Sequence, residues 1–395
     1  MRIALVNNFF VPRPSGSAHL TEGLAREFAA AGHEVLVVTA SYGDAPEDEW
    51  RDGYHVVRLK ARSLPRIRLA MNYDIRFAAS PSNWRRLKQL LNEFKPDVLH
   101  QHGQFFDITW MSSWWARRQR VPVALTVHTP LIHTHPVYGA ILWLGDMLLA
   151  RPFIALDKPT VVVFDKWIKG YVRRRYRIPE DRLASIVVGI DADRFGKVDA
   201  SVIRDELRLG GRPVVLSLGH VIPLRNRLTL IRALPLLLER HRDAAVVIVG
   251  DVNDESFLRL ATELGVRNSL IVTGAVPKEK IPYFVAACDL ETHDHQGLGL
   301  GTTTLEVMAS GKPVIAAADE DNFGDFRLRS WDNAVLIGRE DHRALAEAMI
   351  RLLDEPALAA RIGNAQHQVI EEHFTIGTVA RNHLKLYAEL VESRR

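Results

Sequence analysis

The sequence predicts an α/β protein built from two doubly wound, Rossmann-like domains. Three observations lead there. The chain has 395 residues, more than one ordinary hydrophobic core organises. Short β-branched apolar runs alternate with helix-length amphipathic segments along its whole length, which is how parallel strands buried on both faces read. The alternation also restarts midway, after "VVGIDADRFGKVD" at residues 187–199.

In the first half, strands are expected in "RIALV", "EVLVVT", "HVVRL", "DVLHQH", "VALTVH" and "TVVVF". Between them lie segments such as "HLTEGLAREFAAAG", apolar at Leu20, Leu24 and Phe28 and closed by Gly32, as an amphipathic helix should be. The second half repeats the scheme with "PVVLSLG", "AVVIVG", "SLIVTG", "CDLETH" and "KPVIAA" as strands, and helices between them. The expected domains are 1–190 and 191–375, followed by an amphipathic helix at 376–395 that returns to the N-terminal domain. Right-handed crossovers put all β-to-α loops at one edge of each sheet. Two such edges facing each other would form a cleft, with ligands at the carboxyl ends of the strands.

Composition narrows the class. Hydrophobic content of 47% and charged content of 25% suit a globular protein. The single cysteine, Cys288, excludes an internal disulfide and suits a reducing compartment. "MRIALVNNFF" is too quickly followed by Pro12 and Arg13 to read as a signal peptide. The most apolar run, "YGAILWLGDMLLARPFIAL", reads as broken by Asp146, Arg151 and Pro152. The net charge of +4 hides an asymmetry: residues 1–195 hold 27 Lys and Arg against 19 Asp and Glu, the rest 24 against 28. Basic clusters in "RLKARSLPRIRL", "NWRRLK" and "KWIKGYVRRRYR" favour an anionic partner over a merely solvated face only evenly.

Chemistry concentrates in "HDHQGLGLGTTTLEVMASGKPVIAA", residues 293–317. The strand "CDLETH" must feed a helix starting near Thr302, so the glycines Gly297, Gly299 and Gly301 lie in the connecting loop. Such glycines let backbone approach a ligand, and the free amides of the next helical turn suit a diphosphate. Glu306 has two readings. With Thr303 it fits a capping box; equally, its carboxylate can accept two hydrogen bonds from a vicinal diol such as a ribose. Spacing does not choose between them.

The stretch "GLGLGTTTLEVMASGKPVIA" resembles the donor loop of GT-B glycosyltransferases of family 4. The likeness extends, in the family's order, through "RIALVNNFFVPRPSGSAHLTEGLAREFAAAGHEVLVVT", "PDVLHQHG", "LTVHTP", "VVGIDADRF" and "LSLGHVIPLRNRLTLIRALPLL". It implies a GT-B architecture and places Glu306 on the donor ribose. By the same resemblance Gly16, Gly219, His220, Arg225, Gly299, Leu300, Gly301, Thr302 and Thr303 surround the donor, and His128 lies beside the transferred sugar. Two departures stand out. An earlier glutamate of the family's loop lines up with Leu298, so Asp294, as a catalytic acid, or Gln296, as a donor contact, would have to replace it. The family's arginine after the glycine is His220 here, and its lysine is Arg225, which can grip two phosphate oxygens at once.

The resemblance implies a retaining glycosyltransferase, moving a sugar from a UDP- or GDP-sugar type of donor to an acceptor hydroxyl on a lipid or envelope glycan. No metal and no other cofactor is expected, nor any nucleic-acid partner. Rival readings are a GT-B sugar-nucleotide epimerase or hydrolase and a non-catalytic sugar-nucleotide binding protein. A nicotinamide dehydrogenase is disfavoured because the first strand leads into "NNFFVPRPSGS" and not G-x-G-x-x-G. Basic clusters with Trp84, Trp114, Trp115 and Trp143 suggest peripheral contact with an anionic membrane, hence a cytoplasmic protein at the inner face of the cell membrane.

Overall fold

The computed structural model describes residues 1–13, 15–63, 76–133, 135–195, 198–292, 295–297 and 299–394. They form two compact units, Met1–Gly189 with Ile376–Arg395, and Ile190–Thr375. Part of the first basic cluster, residues 64–69, lies outside the described residues.

The first unit holds an eight-stranded sheet in the order Leu183–Ser185, Thr160–Val163, Val123–Thr126, Val98–His102, Arg2–Asn7, Glu34–Ala40, Tyr54–Leu59, Asp48–Arg51. All neighbours are parallel except the last pair, an antiparallel edge closed by the Asp52-Gly53 turn and absent from the expected strands. Successive residues of the first strand serve opposite layers, as a period of two requires. Ile3 and Leu5 pack with Leu24, Phe28 and Tyr387, whereas Ala4 and Val6 pack with Leu87, Leu91 and Ile108. Tyr387 belongs to the C-terminal helix Ile376–Glu392, whose apolar face lies against helix Gly16–Ala30. Chain order reverses between Arg2–Asn7 and Val98–His102, and that is where a doubly wound sheet opens to ligands.

The second unit has a four-stranded parallel sheet, Leu270–Gly274, Ala245–Val249, Val214–Leu218, Leu290–Glu291. Val215, Val246, Ile248, Leu230, Leu234, Leu345 and Met349 form its core. Its reversal falls between Val214–Leu218 and Leu290–Glu291.

Two expectations fail. Asp146, Arg151 and Pro152 do not break "YGAILWLGDMLLARPFIAL": Pro136–Asp157 is one helical stretch, with a π-turn at Asp146–Ala150. Asp146 is fully buried and satisfied by the hydroxyls of Tyr171 and Tyr176, which removes the penalty of a lone carboxylate. Pro152 lies inside this stretch, directly after the π-turn, an irregularity of the kind that accompanies a missing helical hydrogen bond. Trp115 is not a surface residue; it is buried and donates its indole N–H to Asn92 Oδ1 at 2.8 Å.

Gly250 ends strand Ala245–Val249 at φ +142°, and a Cβ there would lie 2.3 Å from the Gly219 carbonyl oxygen. Gly250→Ala should therefore cost about 2 kcal/mol or more in urea unfolding. An unchanged midpoint would show that this backbone contact is not tight.

Candidate functional site

In the second unit, both loops marked by the sequence emerge at the reversal of strand order. Gly219 and the exposed His220 leave strand Val214–Leu218, and a short 3-10 turn, Pro223–Arg225, carries Arg225. Asn226 then takes a left-handed conformation, φ 46°, to start helix Arg227–Arg240. The second loop leaves Leu290–Glu291 and runs to helix Thr302–Ala309. The His295 amide reaches the Arg225 carbonyl at 3.4 Å, and the Glu340 amide donates to the His295 carbonyl at 3.0 Å. The glycine-rich loop and the basic loop are thus laced together.

Helix Thr302–Ala309 is capped by Gly301, with no side-chain cap. Thr302 and Thr303 are its first two residues, so Thr303 is not the N-cap and the capping-box reading of Glu306 falls. Glu306 sits half-buried in the second turn. The amides at the start of this helix keep the anion-attracting end of the helix open. Gly299, at φ 89°, turns the loop toward it in a conformation that side chains resist, and Leu300 follows half-buried. Arg225 is half-buried, and among the described residues its buried Nη1 has no partner. Gln296 is held otherwise: its Oε1 accepts from Arg339 Nε at 3.0 Å and Nη2 at 2.6 Å. Asp294 and Leu298 lie outside the described residues.

Two residues here escaped the sequence reading. Glu291 is fully buried and Arg227 nearly so. Burial pushes the Glu291 carboxyl well above the ordinary range, while Arg227 and then Arg225 pull it back. Arg227 Nη2 also donates to the Gly219 carbonyl at 3.2 Å. The signal was present, an acid inside the apolar strand "CDLETH" and a second arginine in "LRNRL", but nothing in the sequence paired them.

In the first unit, Gly16 opens helix Gly16–Ala30 behind the N-cap Ser15, with nothing within 4 Å of where a Cβ would stand. His128 lies two residues past strand Val123–Thr126, half-buried. Its Nε2 meets His102 Nδ1 at 2.9 Å. His102 stacks obliquely on His100, ring centres 4.2 Å apart, and His100 lies 5.2 Å from His383 of the C-terminal helix. His100 is pinned from both sides, Nε2 to Thr126 Oγ1 at 2.7 Å and Nδ1 to Tyr387 Oη at 2.5 Å. A column of four imidazoles therefore runs from the candidate transfer residue into the core. Sequence gave no sign of it, since His383 lies far along the chain from the other three.

Burial is the main cause of every imidazole shift in the column. His128 is held down at about 3 and His383 at about 4, against an ordinary 6.5. His100 and His102 are driven well below the ordinary value. Repulsion from neighbouring rings adds to the effect for His100, His102 and His128. All four are neutral at pH 7. Among the described residues, no group of three or more His, Cys, Asp or Glu is disposed to hold a metal ion.

The comparisons with known proteins come to the same place. Residues 14–194 match the family described as Glycosyltransferase Family 4, and residues 199–369 match Glycosyl transferases group 1. A GDP-mannose-dependent alpha-(1-6)-phosphatidylinositol monomannoside mannosyltransferase of Mycolicibacterium smegmatis is 30% identical over 379 residues, 91% of each chain. An alpha-monoglucosyldiacylglycerol synthase of Streptococcus pneumoniae is 26% identical, covering 80% of this chain and 71% of that one. Among solved structures, Anabaena Alr3699/HepE in complex with UDP superposes with a TM-score of 0.71 at 17% identity, over 98% of this chain and 100% of that one. At that identity the likeness is one of fold.

The column sets a pH dependence. Its folded values lie below the unfolded one, so its stability is fully present above pH 6.5 and drains as pH falls toward 4 and 3, because the unfolded chain takes up protons first. His383→Gln should make the fall of unfolding free energy between pH 5.5 and 4.5 shallower by about 1 kcal/mol per pH unit. Urea titrations at stepped pH check this, and parallel slopes for the two proteins would refute it.

Proposed function

The chain belongs to the family 4 glycosyltransferases, with their GT-B fold, and from that premise we propose that it transfers a hexosyl group with retention of anomeric configuration to a hydroxyl of a lipid-linked or envelope-glycan acceptor. It is a glycosyltransferase that uses a nucleotide-sugar donor. The observation that carries the reading is the buried Nη1 of Arg225, which has no partner among the described residues, on a loop tied to the one that leads into helix Thr302–Ala309 with its glycine N-cap.

In this reading the donor diphosphate lies against Arg225, His220 and the amides from Gly299 to Thr303, with Gly219 giving room for it. Glu306 accepts the two ribose hydroxyls, and Leu300 packs near the nucleoside. These groups stabilise charge developing on the leaving phosphate, where preorganised donors count most. The bond from the anomeric carbon to the phosphate oxygen breaks as the acceptor oxygen bonds to the same face, and the acceptor's proton passes to the leaving phosphate. Neutral His128 orients the transferred sugar, and the Gly16 amide faces the diphosphate or the acceptor. Asp294 and Gln296 stand in for the missing earlier glutamate, for which Gln296 would have to leave Arg339. The M. smegmatis relative is named for a lipid acceptor and the S. pneumoniae relative for a lipid product, which supports an acceptor of that kind; a peripheral, cytoplasmic position at the membrane is part of the same proposal.

Calorimetry with GDP-, UDP-, ADP- and TDP-sugars tests the donor site, and the anomeric configuration of the product, read by NMR, tests retention. Arg225→Ala should weaken nucleotide binding by about 1.5–3 kcal/mol, as loss of a charged hydrogen bond does. Unaltered affinity would remove the phosphate assignment, and an inverted product would remove retention. Glu306→Gln should bind a ribonucleotide and its 2′-deoxy analogue nearly alike, whereas the native chain prefers the ribonucleotide by about tenfold, near the lower bound for a hydrogen bond to a charged group. A preference that survives the substitution assigns Glu306 elsewhere.

A further inference from the structure

The helix Pro136–Asp157 is long and apolar enough to cross a membrane by length and composition, yet little of it is buried. Val137, Ile141, Leu144 and Leu148 recur at helical spacing along it, and all are exposed, Leu148 at 64%. After the π-turn the apolar surface continues at Leu156, 62% exposed. Continuous apolar surface of this kind marks an interaction site in a monomer.

Beside the helix opens a pocket of about 550 Å³ within the first unit, lined among others by Trp143, Trp167, Arg151, Arg174, Arg175 and Arg177. The charges in it are not balanced. Arg175 is taken up by the buried Asp146 at 3.6 Å. Among the described residues Arg151, Arg174 and Arg177 meet no carboxylate within ion-pair distance. Pro130 and Ile132, on the loop that follows His128, form part of the same wall. An arginine-rich pocket with aromatic walls beside an apolar ridge is complementary to a phosphate joined to acyl chains.

We propose that this ridge and pocket seat the protein on an anionic phospholipid surface, with the helix lying in the interface and the pocket receiving a lipid phosphate. The seat rests on the lipid-acceptor reading and names the chemistry of the surface that presents the acceptor. The helix lies in the interface and does not cross it, because Asp146 in its middle is fastened to Tyr171, Tyr176 and Arg175 of helix Lys166–Tyr176. Trp143 belongs at headgroup depth, where amphipathic rings settle.

The test is flotation of the full chain with phosphatidylcholine vesicles, with and without phosphatidylinositol. Binding is expected with the anionic vesicles, weakening as salt rises. Arg174→Gln and Arg177→Gln should each lower it about fivefold. Leu148→Ser with Leu156→Ser should reduce it further, and nucleotide binding by calorimetry should stay at the native level in all of these variants. Equal flotation on phosphatidylcholine alone, variants that float like the native chain, or displacement from vesicles by millimolar glycerol 3-phosphate would overturn it. So would a dimer in sedimentation that the Leu→Ser changes dissolve, since the ridge would then be covered by a second copy. Failure of the native chain to float on the anionic vesicles, with its nucleotide binding intact, defeats the seat alone, while absent nucleotide binding in the native chain defeats the donor reading alone.

Discussion

A carboxylate buried without water must be answered by positive charge, and in the second unit that demand organises the loops at the reversal of strand order. Glu291 ends the last strand of the four-stranded sheet at full burial. It draws on Arg227 and, more weakly, on Arg225, and the Leu218 amide approaches its Oε1 at 3.4 Å. Arg227 in turn holds the Gly219 carbonyl. One acid thus ties both strands flanking the reversal to the start of helix Arg227–Arg240. A buried ion cluster of this kind adds little net stability. What it supplies is position: Arg225 is kept half-buried with a donor to spare, a state a free surface arginine would not hold.

The helix that follows contributes the complementary half. The N-cap of Thr302–Ala309 is Gly301, which brings no capping side chain, and the positive end of a helix attracts an anion. Glycine at an N-cap costs only a few tenths of a kcal/mol against serine or threonine, so a helix start of this kind carries little penalty.

Much of this was legible in the sequence, and the failures have physical causes. Parallel strands announce themselves by β-branched runs, and the glycine loop before Thr302 is readable because glycine spacing reports backbone need. The antiparallel edge Asp48–Arg51 was missed because "DEWR" has no apolar face, although the Asp52-Gly53 pair that follows it, with both residues at positive φ, is the usual signal of a two-residue hairpin turn. Asp146 misled for a different reason: a carboxylate in an apolar run looks like an interruption until Tyr171, Tyr176 and Arg175, some thirty residues on, are folded against it. Thr303 and Glu306 had the spacing of a cap, but the helix starts at Thr302, two residues earlier than a Thr303 cap requires, a shift that spacing alone does not resolve. The histidine column depends on the C-terminal helix rejoining the first unit, which brings His383 and Tyr387 to His100 across almost the whole chain.

The column also bears on the chemistry. In the proposed transfer the anomeric carbon becomes cationic as the phosphate departs, so a protonated imidazole at its side would oppose the reaction. His128 is held at about 3 by burial, with further repulsion from His383, and so remains a neutral ring bonded to His102. The ring can then orient sugar hydroxyls without adding positive charge to the centre that is losing electrons. In the same proposal the positive charge that the leaving group requires is carried by Arg225 and the helix amides instead. Acid and base catalysis would then be left to the reactants themselves, and the protein's part would be to separate the two electrostatic tasks between residues that cannot exchange them.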